Sequence, residues 1–168
     1  MKKRLSMLPA LWNKKKYRPW AGIFIFALVV LFFFFWRLGS FNAIIMRPGG
    51  RVSDLLVTFW PNIKYIKNTW QAFGTFPLWR TLIFSGSPFH VDPQSGLWYL
   101  PNLVHLFFPI AVGFNFLLIF HIIVGGIGMW IWVRTSGSSR KAGWISAVAF
   151  AFTPSIYAHL GFGHIGLA

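Results

Sequence analysis

The chain contains only two acidic residues, Asp54 and Asp92, and both lie between two long apolar runs. A carboxylate in such a place can accept a proton, begin a helix or bind a divalent cation. Ser53 and Asp54 together are typical of a helix start, where the positive end of the helix favours an acid. The sequence HVDPQSG indicates either an Asp-Pro turn at Asp92 or, with His90 and Asp54, the ligands of a divalent cation. That cation is the one cofactor these residues suggest.

Three arginines in the same stretch, Arg47, Arg51 and Arg80, have the planar geometry that binds phosphate. They suit the phosphate of a bound substrate and the headgroups of lipids equally well, and both interpretations stay open. His121 lies inside an apolar run, where one hydrogen bond to a neighbouring helix would satisfy a neutral imidazole, so we expect a structural role. The chain has no cysteine, which excludes disulfides, thiolate catalysis and sulfur-bound metals.

The composition shows what kind of protein holds these residues. The chain is 56% hydrophobic, 20% aromatic and only 11% charged, which excludes a soluble globular domain and a disordered chain. Its net charge of +14 is concentrated at one end, because seven of the sixteen Lys and Arg residues fall in the first 18 positions, directly before an apolar run. This placement favours anionic membrane lipids as partners and argues against nucleic acid.

The apolar runs predict an all-α integral membrane protein with about three transmembrane helices. Short basic segments stay in the cytoplasm, so both the N-terminus and the connector after the second helix are expected there. We expect Pro154 to kink or end the third helix. The predicted segments are a basic cytoplasmic N-terminus at 1–19, helices at 20–37, 110–133 and 143–168, an outer segment at 38–109 and a cytoplasmic loop at 134–142.

The outer segment has its own helical pattern. Apolar residues from Leu56 to Trp70 recur at spacings of three and four, which predicts an amphipathic helix lying on the membrane, with Pro61 at a bend or in a first turn. After Gly74, repeated Pro and Gly predict a largely irregular stretch, followed by a short helix from Asn102 to Phe108. The Gly cluster at 125–128 is expected to let helices approach closely.

The order of features in the outer segment resembles the YfhO-type bacterial membrane proteins of the GT-C glycosyltransferase class. An acidic residue is followed by an aromatic and Pro, then G-x-x-PLW, G-x-P, a polar Gln-containing turn, and an aromatic before Pro-Asn. The similarity continues through HIIVGGIGMWIWVR and AFAFTPSIYAHLGFGHIGLA, although Arg80 and Thr81 depart from the usual Asn-Pro. The matching residues are Asp54, Trp60, Pro61, Gly74, Pro77, Leu78, Trp79, Gly86, Pro88, Gln94, Tyr99, Pro101 and Asn102.

The resemblance implies a membrane enzyme that transfers sugar from a polyprenyl-phosphate donor on the outer face of the bacterial cytoplasmic membrane. It implies that Asp54 acts on the acceptor hydroxyl, as a base or through a metal ion. The phosphate that Arg47, Arg51 and Arg80 could contact would then be that of the donor, with lipid headgroups as the equal alternative. The resemblance also implies further C-terminal helices as partners, so we expect the 168 residues to be an inactive N-terminal fragment with a truncated third helix. The alternative is a noncatalytic membrane protein, such as part of a transporter or an assembly subunit.

Overall fold

A computed structural model describes residues 19–38, 53–81, 83 and 85–163, and these are mostly helical. The predicted all-α class is therefore confirmed, apart from one very short hairpin. Arg47 and Arg51 lie outside the described residues. The α-helices are α1 (Pro19–Leu38), α2 (Trp60–Phe73), α3 (Val104–Phe107), α4 (Ile110–Thr135), α5 (Arg140–Ala151) and α6 (Pro154–Phe162), and the strands are β1 (Trp79–Arg80) and β2 (Ser87–Pro88). A π-helical turn covers Leu55–Phe59, and 3₁₀ turns cover Pro93–Ser95 and Leu100–Leu103.

By length and composition, α4 is the one described helix that is long and apolar enough to cross a membrane. The apolar helix Trp20–Phe34 within α1 is shorter. The segment predicted as a third crossing is divided into α5 and α6, which are separated at Phe152 and Thr153. Pro154 occupies the first turn of α6, where its missing N–H costs no helical hydrogen bond, so the break expected at this proline is present.

One compact unit comprises Met1–Phe34 and His121–Phe152, and its described part is built from most of α1, the second half of α4, and α5. Val30, Ala147 and Ala151 are completely buried there. A Cβ on Gly126 would overlap the ring of Phe26, and one on Gly125 would press on Phe150, so glycine is what allows these close contacts. The close approach predicted for the Gly cluster is confirmed at these two positions, whereas Gly128 faces open space.

The second unit comprises Phe35–Phe120 and Thr153–Ala168, and its core lies beneath α2. Ile63 and Ile66 on α2 are buried against core residues that include Phe89 and Phe114. The amphipathic helix is therefore present, with Pro61 in its first turn as expected. The sequence pattern predicts that the apolar face of this helix lies on the membrane. That prediction is wrong at the centre of the face, where Ile63 and Ile66 pack on the core of the protein.

The stretch after Gly74 is largely irregular, as predicted, but it contains the hairpin of β1 and β2 that the sequence pattern did not reveal. Trp79 pairs with Pro88 and Arg80 with Ser87 in antiparallel register. Gly86 has a φ of 108° and lies under the indole of Trp79, where a side chain would collide with the ring. The hairpin fixes the position of Arg80, which is central to the site described below.

Candidate functional site

A polar cluster in the second unit joins three elements that are distant in sequence. Its members are Asn62 in the first turn of α2, Arg80 in β1, and Asp92 and Gln94 around the 3₁₀ turn Pro93–Ser95. Pro61 starts α2 one residue before Asn62, the hairpin places Arg80, and Asp92 begins the 3₁₀ turn. The side chains of Asn62, Arg80 and Asp92 and the backbone of Gln94 form this cluster.

Arg80 occupies the centre of this cluster. Its Nη1 donates to Asn62 Oδ1 at 3.0 Å, and its Nη2 lies 3.5 Å from Asp92 Oδ2 in an ion pair. The guanidinium carbon also lies 5.4 Å from the centroid of the Phe89 ring, within the range of a cation–π contact. The side chains of Arg80 and Asp92 are 16% and 28% exposed, so solvent screens this pair less than it would a surface pair.

Asp92 closes the cluster. Its Oδ1 accepts a hydrogen bond from the Gln94 backbone N–H at 2.8 Å, which is the capping bond of the turn. Gln94 in turn accepts a bond at its carbonyl from Asn62 Nδ2, at 2.9 Å. The cluster thus forms a closed set of contacts from Asn62 through Arg80, Asp92 and Gln94. The Asp-Pro turn is confirmed, and both carboxylate oxygens of Asp92 have structural partners.

His90 also has a structural partner. Its Nδ1 lies 3.0 Å from the carbonyl oxygen of Leu78, and its own carbonyl accepts a hydrogen bond from Trp98 Nε1 at 2.8 Å. Among the described residues, no group of three His, Cys, Asp or Glu side chains is arranged to hold a metal ion. The structure therefore does not bring Asp54, Asp92 and His90 together as a metal site, and the divalent cation remains a prediction.

Asp54 lies at the start of the π-helical turn Leu55–Phe59. Its side chain is exposed and forms no capping hydrogen bond with the turn, so the helix-start position is confirmed while the cap itself is not made. The neighbouring Ser53 is buried against Gly163, where a Cβ would lie 2.8 Å from that of Ser53. Close packing on one side and exposure on the other hold the Asp54 carboxylate at the surface of this unit.

His105, which no pattern in the sequence indicates, is the most deeply buried histidine that the structure describes, with 1% of its surface exposed. Its ring packs 4.6 Å from the ring of Phe114 and directly over Gly113, where a Cβ would overlap the imidazole. Neither ring nitrogen forms a hydrogen bond of good geometry with the described residues, although the ring lies near the backbone of Ile110. Burial, reinforced by the positive charge of Lys67, lowers the pKa of His105 to about 4, although the backbone of Ile110 acts in the opposite direction.

Lys67 lies close to this histidine and contacts the end of the outer segment. Its Nζ donates to the carbonyl oxygen of Phe108 at 2.7 Å, across 41 residues of sequence. This bond ties α2 to the residues that immediately precede α4. No periodicity or motif in the sequence marks either Lys67 or His105, because both roles depend on contacts between distant segments.

No family model, curated protein or solved structure matches the chain. The class of the protein is therefore described from its structure alone. It is a helical protein in which a folded segment lies between apolar helices in the sequence, with an exposed carboxylate at Asp54 and a structural cluster around Arg80.

Proposed function

We propose that the protein contributes to a membrane glycosyltransferase that uses a polyprenyl-phosphate sugar donor on the outer face of the bacterial cytoplasmic membrane. The ordered motif from Asp54 to Asn102 supports this proposal, as does the apolar helix α4 that follows. The observation that carries it is the position of Asp54, an exposed carboxylate at the start of a helix and in the place where the resembled enzymes have their acid.

In this proposal Asp54 accepts the proton of the acceptor hydroxyl. The hydroxyl oxygen then forms the new bond to the anomeric carbon of the sugar, and the bond from that carbon to the donor phosphate breaks. Polyprenyl phosphate leaves with the bonding electron pair. The proposed topology keeps the N-terminus and the connector between α4 and α5 in the cytoplasm, so that Asp54 meets a donor at the outer boundary.

The donor phosphate needs a positive partner. Arg80 already contacts Asp92 and Asn62, and its side chain is only 16% exposed, so it is less accessible to a phosphate than a surface arginine would be. We therefore assign the phosphate chiefly to Arg47 and Arg51, which lie outside the described residues. No step is assigned to a metal ion, because the described acidic and histidine side chains do not form a group that would hold one.

The two acids of the chain provide a matched pair for the experiment. Asp54→Asn and Asp92→Asn are introduced separately at the native gene, and membranes are assayed with labelled polyprenyl-phosphate hexose, with protein abundance measured in parallel. We expect Asp54→Asn to reduce transfer per molecule by about a hundredfold or more, in keeping with loss of a general base. Asp92→Asn should lower abundance or thermal stability while transfer per folded molecule is retained.

Near-normal transfer by Asp54→Asn would overturn the catalytic role and leave Asp54 as a helix-start residue. If deletion of the gene left transfer from the labelled donor unchanged, the glycosyltransferase proposal itself would fail. A noncatalytic role in the membrane would then account better for the folded outer segment.

A further inference from the structure

A strip of large apolar side chains lies exposed on the outer segment just before α4. Trp98 is 70% exposed, Leu100 76% and Phe107 81%, values that are unusual for such side chains in a folded unit. The aromatic strip consists of Trp98, Tyr99, Leu100, Leu103, Phe107 and Phe108. None of its residues belongs to the polar cluster around Arg80.

The strip is exposed although the segment that carries it is firmly packed. Leu100, Leu103 and Phe107 are three and four residues apart and share one side of the helical segment formed by the 3₁₀ turn and α3. The other side is fixed to the unit, because His105 is buried and Asn102 Nδ2 donates to the Gly96 carbonyl at 2.9 Å. One side of the short helical segment is therefore packed on the unit, while the apolar side that carries Leu100, Leu103 and Phe107 stays exposed.

The chain itself indicates what covers the second side. Phe108 precedes the first residue of α4, Ile110, by only two positions. Two residues of chain span at most about 7 Å, so the end of the strip cannot lie far from the first turn of α4. If α4 crosses a bilayer, the Phe108 end of the strip lies close to the level where that helix enters the lipid.

The composition of the strip and of its surroundings is typical of residues at the boundary between lipid headgroups and acyl chains. Trp and Tyr are enriched where headgroups meet acyl chains, and Leu and Phe provide the area that is buried among the acyl chains. The indole N–H of Trp98 is bonded to the His90 carbonyl, so its exposed surface is the apolar ring. Lys67, bonded to the Phe108 carbonyl, brings a cation to the same edge, where anionic headgroups would attract it.

We propose that the aromatic strip is embedded in the boundary between headgroups and acyl chains of the bilayer that α4 crosses. In this proposal the strip contacts the lipid, which is the role that the sequence pattern predicted for the apolar face of α2. The proposal depends on α4 crossing the membrane and is independent of glycosyl transfer.

Because the sequence has no cysteine, single labelling sites can be introduced without further changes. Leu100→Cys and Phe107→Cys are made in the full chain, labelled with a bimane fluorophore and reconstituted in vesicles of phosphatidylethanolamine and phosphatidylglycerol. Val124→Cys, at an exposed position within α4, reports on the crossing helix, and Ser138→Cys, in the polar connector after α4, is the aqueous control. Near-ultraviolet circular dichroism verifies that each variant keeps its fold, and Leu103→Cys replaces any that does not.

Brominated lipid should quench the labels at positions 100 and 107 by about half, because a side chain buried about 5–10 Å below the headgroups is within reach of the bromines. Aqueous iodide should quench them much less than it quenches the label at Ser138. Strong iodide quenching at both strip positions would overturn the proposal, since the strip would face water. Shielding from both quenchers would also overturn it and would indicate a protein partner, and absence of lipid quenching at Val124 would remove its premise.

Discussion

Acidification should destabilise the second unit through His105. The buried ring packs on Gly113 and Phe114, and its pKa is lowered from 6.5 to about 4. In the unfolded chain the same histidine binds a proton below its ordinary pKa of about 6.5. Between these two values the unfolded chain therefore binds more protons than the folded one, and folding stability must decrease as the pH falls.

The size of the effect follows from the two pKa values. The part of the folding stability that depends on a neutral His105 is fully present above about pH 6.5. It is lost progressively as the pH falls and is gone near pH 4. Because one pKa unit corresponds to about 1.4 kcal/mol, the total loss is about 3 kcal/mol of unfolding free energy. That is a large fraction of the roughly 5–15 kcal/mol that stabilises a typical domain.

The assay is thermal or denaturant unfolding of the full chain in detergent at pH values from 7.5 to 4, followed by near-ultraviolet circular dichroism of its many aromatic side chains. His105→Leu removes the titrating group while keeping an apolar side chain over Gly113, and we expect its unfolding midpoint to change much less over this range. His90→Gln is the control, and it should retain the pH dependence that His105 causes. A wild-type midpoint that stays constant down to pH 4, or an equal decline in His105→Leu, would refute the reasoning.

Three further predictions concern packing, charge and topology. Arg80→Met should lower the unfolding free energy by about 2 kcal/mol, because it removes a charged hydrogen bond and leaves the Asn62 amide oxygen without its donor; an unchanged unfolding midpoint would contradict this. Gly113→Ala should destabilise the second unit by about 1–3 kcal/mol through overlap with the His105 ring, whereas Gly128→Ala, where the space is open, should be nearly neutral in the same unfolding assay. Ser138→Cys in intact cells should resist an impermeant maleimide, since its basic connector is expected in the cytoplasm, and strong labelling would reverse the proposed topology.

Features with local causes could be predicted from the sequence. Pro61 begins α2, Pro154 begins α6, and Asp92 caps the turn that follows it, because the chemistry of each depends on residues only a few positions away. The helical period of α2 was also evident. The sequence did not show which surface the apolar face of α2 contacts, because the same period suits packing on lipid and packing on the core around Phe89.

The contacts between distant segments could not be predicted in this way. Arg80 meets Asn62 across 18 residues, and the hairpin that places it consists of only two residues in each strand, too few for an alternating pattern. His105 is buried because the first turn of α4 packs against its ring. For Asp54 the sequence correctly indicated a helix start, while its proposed chemistry still depends on the resemblance.

The packing of His105 on Gly113 limits how related sequences can diverge. A side chain at position 113 needs the space that the imidazole occupies, so the two positions cannot change independently without strain. During evolution, a larger residue at 113 should be accepted only with, or after, a smaller residue at 105. We therefore expect homologues to pair a ring at 105 with glycine at 113, and a small aliphatic side chain at 105 with alanine or serine at 113.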